Sequence, residues 1–95
     1  MEFHRIIWAE HSERRIAERR LLSRQMVEET LREAEQRFPD PNHHAPDRFI
    51  AERRYSRNRG PMLVRVFYAD GGDGTAVIVS SYPTFEVSRY WRTDV

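Results

Sequence analysis

The clearest hydrophobic pattern in the chain is a pair of apolar runs joined by a short polar segment. Met62 to Ala69 and Thr75 to Tyr82 are rich in β-branched and aromatic residues, and Asp70 to Gly74 lie between them. Glycine adopts positive φ without steric cost and aspartate caps its own turn, so the pattern predicts a β-hairpin with a five-residue loop. Because nearly every position of both strands is apolar, we expect both faces of the hairpin to be covered.

The N-terminal part of the chain shows one strand pattern and two helical patterns. Phe3 to Ala9 is short and rich in β-branched and aromatic residues, which favours a strand. Glu10 opens a predicted helix that runs to about Leu21, because acidic residues in the first turn favour the helix dipole. Ser23 is a good N-cap for a second helix, whose buried stripe follows helical spacing. That stripe comprises Val27, Leu31, Ala34 and Phe38.

The rest of the chain completes an α+β pattern. Pro39 to Pro41 is predicted to end the second helix, since proline removes a donor and disfavours helical geometry in its predecessor. Asn42 to Asp47 is a predicted loop, and Arg48 to Tyr55 fits neither period cleanly but is favoured as a strand beside the hairpin. Thr84 can cap a short last helix that reaches about Arg92. The order β-α-α-β-β-β-α predicts a single α+β domain over residues 1–95, with a helical hairpin packed on a mainly antiparallel sheet of about four strands.

The distribution of charged residues along the chain is more informative than the net charge. The chain has 16 basic and 15 acidic residues, and a formal net charge of +1 does not by itself call for nucleic acid. All sixteen basic residues are arginine, which codon bias from a GC-rich genome would explain. Arginine nevertheless pairs bidentately with phosphate and stacks on bases where lysine cannot.

Several classes of site are not expected. The chain has no cysteine, so neither disulfide nor thiolate chemistry is available. His43-His44 is an adjacent pair with no second matching cluster, so we expect no metal and no cofactor. The N-terminus has no apolar run long enough for a signal peptide, and no segment could span a membrane, so a cytoplasmic location is expected.

Arginine is concentrated between Asn42 and Arg65, where six arginines outnumber two acids. Aromatic residues interleave with these charges, and guanidinium groups with aromatic rings hold single-stranded RNA. The alternative is a solvated face whose charges pair with acids of the same chain. The RNA-binding candidates are Arg54, Tyr55, Tyr68, Tyr82, Trp91 and Arg92.

Two further residues are candidates for chemistry. Arg65 lies in mid-strand among apolar residues, and a buried arginine must be paired. It therefore either forms an ion pair with an acid such as Glu13 or Glu18, or binds a phosphate at the edge of a concave sheet. His11, on the same helix face as Arg15, is either a general base or an ordinary helix-terminal residue.

The order of several short motifs resembles an uncharacterised bacterial family whose first helix contains His-Ala-x-x-Arg-x-x-x-Arg. The matching residues are His11 to Arg15 with Arg19, Leu22-Ser23, Val27 to Leu31, Arg54-Tyr55, Leu63 to Phe67, Val77 to Thr84, and Arg89 to Trp91. The chain departs from that family at Arg20, where a glycine usually ends the first helix, and has one extra residue before Ser23. The family is similar to the RelE/ParE/BrnT toxin superfamily, which implies a helical hairpin against a curved antiparallel sheet and the role of toxin in a toxin–antitoxin pair.

The resemblance also implies roles for individual residues. Many RelE-like members cleave mRNA by transesterification, which needs a base for the 2′-hydroxyl, cations for the phosphate and an acid for the leaving oxygen. On this interpretation Arg65 and Arg89 clamp the phosphate and Arg54 makes a third contact. Tyr90 is the candidate acid and His11 the candidate base. The candidate base-stacking residues are Tyr68, Tyr82 and Trp91.

The alternative is a non-catalytic protein-binding module, either a ParE-like target blocker or a domesticated relative. Convergence of Arg54, Arg65 and Arg89 around Tyr90 would favour catalysis. Pairing of each arginine with an acid such as Glu13, Glu18 or Glu52 would favour the binding module. The expected partners are a cognate antitoxin, then mRNA or the ribosome, with a homodimer as a further candidate.

Overall fold

The computed structural model describes residues 3–18 and 21–94 and shows an α+β fold. Its elements are β1 (Arg5–Trp8), α1 (Glu10–Glu18), α2 (Arg24–Arg32), β2 (Gln36–Pro39), β3 (Arg48–Arg57), β4 (Gly60–Asp70), β5 (Thr75–Thr84) and α3 (Val87–Tyr90). The predicted strand near the N-terminus, the strand before the hairpin and the short last helix are confirmed. The predicted continuation of α1 over residues 19 and 20 lies outside the described residues. Within the described ranges, no helix has the length and apolar character needed to cross a membrane.

The five strands form one mixed sheet in the order β1-β5-β4-β3-β2. β1 runs parallel to β5, and the other three pairings are antiparallel. The predicted hairpin is confirmed as β4 and β5. Its loop is one residue shorter than predicted, because Asp70 belongs to β4. The expected aspartate contacts form, since Asp70 Oδ1 accepts from the Gly72 amide at 2.9 Å and Asp73 Oδ1 accepts from the Thr75 amide at 3.1 Å.

The second helix is shorter than predicted, and the sheet has five strands rather than about four. α2 ends at Arg32, and Phe38 lies in β2 opposite Ile50 of β3. The Glu35 amide donates to the Glu52 carbonyl at 2.8 Å, which starts this strand pairing. Burial of Phe38 against the sheet therefore outweighs the helical spacing of the segment. Ala34 and Phe38 continue the helical spacing of the buried residues of α2, but both lie beyond the end of that helix.

The main core lies between the helices and one face of the sheet, which we call the helix-covered face. Val27 and Leu31 of α2 are fully buried against sheet residues that include Ala51, Val64 and Val66. The predicted cap of α2 is confirmed, because the Ser23 hydroxyl accepts from the Met26 amide at 3.1 Å. Arg24 of α2 forms an ion pair with Glu13 of α1 at 2.5 Å, which joins the two helices.

The opposite face of the sheet is covered by α3 and residues 91–94, and we call it the tail-covered face. Side chains alternate along β4, so Leu63 points to this face while Val64 points to the helices, and both are fully buried. The prediction that the hairpin is covered on both faces is therefore confirmed for β4.

Candidate functional site

A buried ion pair lies in the middle of the tail-covered face. Arg65 of β4 is directly opposite Glu52 of β3, and its Nε donates to Glu52 Oε2 at 2.6 Å. Glu52 is 0% exposed and Arg65 is 9% exposed. Because an isolated buried charge is costly, each residue requires the other. Of the two alternatives for Arg65, the ion pair is therefore present, and the acid is Glu52.

Two tyrosines complete the surroundings of this pair. Arg65 Nη1 donates to the Tyr82 hydroxyl, and the Arg65 guanidinium carbon lies 4.4 Å from the centre of the Tyr90 ring. The Tyr82 and Tyr90 rings meet edge to face, with their centres 6.3 Å apart. A guanidinium held over an aromatic ring gains a cation–π attraction that strengthens when water is excluded. We call Glu52, Arg65, Tyr82 and Tyr90 the central cluster.

Burial changes the acid–base properties of the central cluster. It raises the pKa of the Glu52 carboxyl, against the opposing effects of the Arg65 hydrogen bond and charge. It also raises the pKa of the Tyr82 hydroxyl, again opposed by Arg65. Glu52 Oε1 is buried and accepts no hydrogen bond from any described residue. A carboxylate with a raised pKa and a free oxygen is a better proton acceptor near neutral pH than an ordinary one.

The C-terminal tail is fastened across this face by Gln36 of β2. The Arg92 amide donates to Gln36 Oε1 at 3.0 Å, and Gln36 Nε2 donates to the Arg92 carbonyl. The Arg92 guanidinium carbon lies 4.6 Å from the centre of the Phe38 ring. One amide side chain thus satisfies both backbone groups of a single tail residue.

The neighbouring residue of the tail packs on a paired arginine. The Arg54 guanidinium carbon lies 4.0 Å from the Trp91 ring, and the same guanidinium makes two contacts of 3.2 Å with the Glu35 carboxylate. The hydrogen bond from Arg54 lowers the pKa of Glu35. Trp91 is therefore placed by an ion pair that spans β3 and the start of β2.

The predicted arginines of this face meet the convergence condition in part and the pairing condition in full. Arg65 and Arg89 approach the same Tyr90 ring, with guanidinium carbons 4.4 Å and 5.3 Å from its centre. Each arginine also pairs with an acid, in the contacts Arg54–Glu35, Arg65–Glu52, Arg89–Glu86 and Arg92–Asp94. Arg54 lies instead over Trp91, so this criterion alone does not establish catalysis.

Three predicted site residues lie elsewhere. Tyr68 is on the helix-covered face and 1% exposed, and its ring packs against Phe3 with centres 5.6 Å apart. Tyr55 is on the same face, where its hydroxyl donates to Glu29 at 2.8 Å and burial raises its pKa to about 12. His11 is exposed at the start of α1, which packs on that face too. The structure therefore does not bring these three residues together with Arg65.

Sequence reasoning did not identify Glu52 or Gln36 as site residues. Glu52 was named as one of two acids in an arginine-rich segment and as one acid that could pair with an arginine, but not as a catalytic group or as the partner of Arg65. The position of the β3–β4 turn could have identified Glu52. A turn at Asn58 and Arg59 sets the register in which Glu52 lies directly opposite Arg65. The composition of the segment predicts a broader turn, over Ser56 to Gly60, which does not define that register.

Metal ligands do not converge in the described part of the chain, where no group of three or more His, Cys, Asp or Glu side chains forms a possible cation site. Comparisons with protein-family models, with curated proteins and with solved structures found no match. The geometry of the central cluster is therefore the basis for the functional argument.

Proposed function

We propose that this chain is the toxin of a type II toxin–antitoxin pair and that it cleaves mRNA without a metal ion. The supporting observation is the buried central cluster. A buried ion pair contributes little net stability, because desolvation offsets the attraction between the charges. Titratable groups with perturbed pKa values in such settings are typical of functional sites. A carboxylate, a guanidinium and two phenols together supply a base, a cation and an acid.

The proposed reaction is transesterification of the RNA backbone. Glu52 accepts the proton of a 2′-hydroxyl, in the role that the resemblance implied for His11. The 2′-oxygen then bonds to the adjacent phosphorus, and the bond from phosphorus to the 5′-oxygen breaks. Arg65 stabilises the charge on the phosphate oxygens, as an electrostatic contact that strengthens in the transition state. Tyr90 donates a proton to the leaving 5′-oxygen, which yields a 2′,3′-cyclic phosphate and a 5′-hydroxyl.

Access to the cluster requires movement of the tail. Glu52 is fully buried, and the backbone of Arg92 in the tail is tied to Gln36, the residue opposite Glu52 on β2. The helix α3 has only four residues, and its arginine pair with Glu86 is exposed. Exposed ion pairs are weak, so Arg54 and Arg89 can exchange their carboxylates for RNA phosphates once the tail lifts.

The test is controlled expression in bacteria with mapping of new RNA 5′ ends. The wild type is compared with Glu52→Gln, Tyr90→Phe and Arg65→Ala/Arg89→Ala, and with Arg14→Ala as a control in an exposed arginine of α1. We expect growth arrest with new 5′-hydroxyl ends for the wild type and the control, and loss of both for the cluster variants. Circular dichroism separates loss of function from loss of fold. Full cleavage by a folded Arg65→Ala/Arg89→Ala variant would refute the proposal.

A second candidate function is a non-catalytic toxin that binds a protein target, as ParE-like proteins bind gyrase. The observation that favours it is the pairing of the four predicted arginines of the tail-covered face with acids, which offsets their positive charge. Growth arrest without new RNA ends would support this function over cleavage.

The remaining elements of the proposal concern context. A cognate antitoxin is expected to cover the tail-covered face or the tail itself, with an acidic or apolar segment. The substrate is mRNA, free or on the ribosome, in the cytoplasm. Co-expression with the gene product encoded next to this chain should relieve growth arrest if that product is the antitoxin.

A further inference from the structure

A small polar cavity lies away from the central cluster, where α1 meets the edge of β5. β1 ends at Trp8, which pairs with Ile78, and the Ala9 amide makes the last contact to the Ile78 carbonyl at 3.0 Å. Beyond Ile78 no described strand pairs with the outer edge of β5. The start of α1 lies beside that edge, and a cavity of about 200 Å³ separates them. Its lining residues are His11, Ser12, Arg15, Val79, Ser80 and Ser81.

A β-bulge shapes the strand side of this cavity. Phe67 pairs with Ser80 and Tyr68 pairs with Ile78, so Val79 has no partner on β4. Consecutive residues of a regular strand point to opposite faces, whereas a bulge re-aims them locally. The bulge explains how the neighbouring residues Ser80 and Ser81 both line one cavity.

The helix side of the cavity presents hydrogen-bond donors without an acid among the lining residues. His11 and Arg15 are one turn apart on the same helix face, and both are exposed. Arg15 forms no ion pair with any residue whose side chain the structure describes, in the ranges 3–16 and 21–94. Glu13, an acid in the first turn of α1, is paired with Arg24.

Ser12 gives an independent sign that the cavity accommodates a ligand. Ser12 is 2% exposed, lines the cavity, and its hydroxyl has no hydrogen-bond partner among the described residues. A buried hydroxyl without a partner is costly, and most buried polar groups in proteins are paired. An acceptor atom placed in the cavity would satisfy this hydroxyl.

We infer that this cavity binds a single phosphate-type oxyanion. An imidazole, a guanidinium and serine hydroxyls all donate to anionic oxygens, and the start of the nine-residue helix α1 adds a favourable dipole. The cavity is smaller than the roughly 300–1,000 Å³ of pockets for drug-sized ligands, so it suits one phosphate group rather than a whole nucleotide. The site is on the α1 side of the sheet and does not depend on the proposed RNA cleavage.

The first experiment is an NMR titration of the full chain with sodium phosphate at constant ionic strength. We expect saturable shifts confined to residues 10–15 and 79–81, including the Arg15 side-chain signal. Arg15→Gln should weaken binding by about tenfold or more, because it removes a charged donor. Arg14→Gln is the matched control, since Arg14 is the neighbouring exposed arginine and does not line the cavity. Equal effects of the two variants, or shifts that do not saturate, would overturn the inference.

Two further titrations identify the source of the phosphate and test the role of Ser12. Tighter binding of a 5′-phosphorylated dinucleotide than of inorganic phosphate would assign the site to a nucleic-acid terminus, and equal binding would assign it to free phosphate. Ser12→Ala should weaken phosphate binding several-fold without unfolding the protein, whereas unchanged binding would contradict a ligand role for this hydroxyl. Arg65→Lys should leave phosphate binding intact, so failure of this site and failure of the cleavage proposal are distinguishable.

Discussion

Burial of the Glu52 carboxyl links the stability of the protein to pH. Its pKa in the folded state is raised above the ordinary value of 4.5, so the folded protein holds this proton more tightly than the unfolded chain. The associated stability is fully present below the unfolded pKa and is lost as pH rises through the folded pKa. We therefore expect the free energy of unfolding of the wild type, relative to Glu52→Gln, to fall as pH rises above the unfolded pKa of 4.5 and through the raised folded pKa.

Urea denaturation at several pH values measures this effect, and Glu35→Gln provides the control of opposite sign. Arg54 lowers the pKa of Glu35, so the stability that Glu35 contributes is present above its unfolded pKa and is lost as pH falls. Parallel pH profiles for the wild type and Glu52→Gln would contradict the raised pKa.

Two glycines in the β4–β5 loop allow the cost of positive φ to be separated from the cost of a steric contact with His4. Gly72 has a φ of +80° with open space where a Cβ would stand, whereas Gly74 has a φ of +87° and its Cβ would lie 2.1 Å from His4 Cδ2. Substitution by alanine at either position should cost about 1–2 kcal/mol, because L-residues disfavour positive φ. Gly74→Ala should cost more, since the His4 ring must also move.

The measurement is a double-mutant cycle by chemical denaturation. In a His4→Ala background, the extra cost of Gly74→Ala over Gly72→Ala should disappear. An extra cost that persists without the His4 ring would show that the contact is not its cause.

Single residues also show which part of the site the sequence could predict. Arg65 was identifiable because it is the one charge in an apolar strand, and burial of such a charge demands a partner. Its partner Glu52 was not identifiable without the register of β3 on β4. A shift of that register by one residue would move Glu52 to the other face of the sheet, so a broadly placed turn loses the information.

At the scale of elements, local signals and tertiary contacts disagree most between α2 and β3. The Ser23 cap predicted the start of α2 correctly, because its hydrogen bond is local. The end of α2 depends instead on pairing of Gln36–Pro39 with β3, a contact between distant parts of the chain. Helical spacing of apolar residues cannot reveal such pairing, and Phe38 fitted both patterns.

The hydrogen bonds that tie the backbone of the tail to the sheet come from one side chain. The Gln36 side chain makes two hydrogen bonds to the backbone of Arg92. Gln36→Ala should free residues 91–94 and expose the central cluster. Limited trypsin digestion followed by mass spectrometry should then show faster cleavage after Arg89 and Arg92 than in the wild type.

Gln25→Ala is the matched control, because Gln25 is an exposed glutamine on α2. Under the cleavage proposal, Gln36→Ala should also raise RNA cleavage, since the tail limits access to Glu52. Unchanged digestion at both arginines would show that other contacts, such as Trp91 on Arg54, hold the tail by themselves.

At the scale of the whole molecule, the sheet separates two kinds of surface. The helix-covered face buries apolar residues in the ordinary manner of an α+β domain. The tail-covered face buries an ion pair and is closed by a short helix and four tail residues. The hydrophobic pattern could predict the first surface, whereas the second depends on the path of the chain after β5, which polar residues do not specify.

The same arrangement limits how strongly the molecule can attract RNA through charge. The four arginines predicted to contact RNA phosphates on the tail-covered face each have a carboxylate partner. Release of counterions from single-stranded nucleic acid gives a slope of log affinity against log salt of about −0.7 for each phosphate neutralised. For an RNA made uncleavable by a 2′-deoxy substitution, the slope should therefore be no steeper than about −3. Arg54→Ala/Arg89→Ala should reduce it to about −1.4, because two of the four phosphate contacts are removed.

Arg57→Ala/Arg59→Ala removes the same charge from the exposed turn region between β3 and β4 and serves as the control. It should leave the slope near the wild-type value, because neither residue contacts the central cluster. A slope that falls with this control and not with Arg54→Ala/Arg89→Ala would place the RNA on the turn instead of the tail-covered face. The central cluster would then have no substrate, and the protein-binding function would be favoured over cleavage.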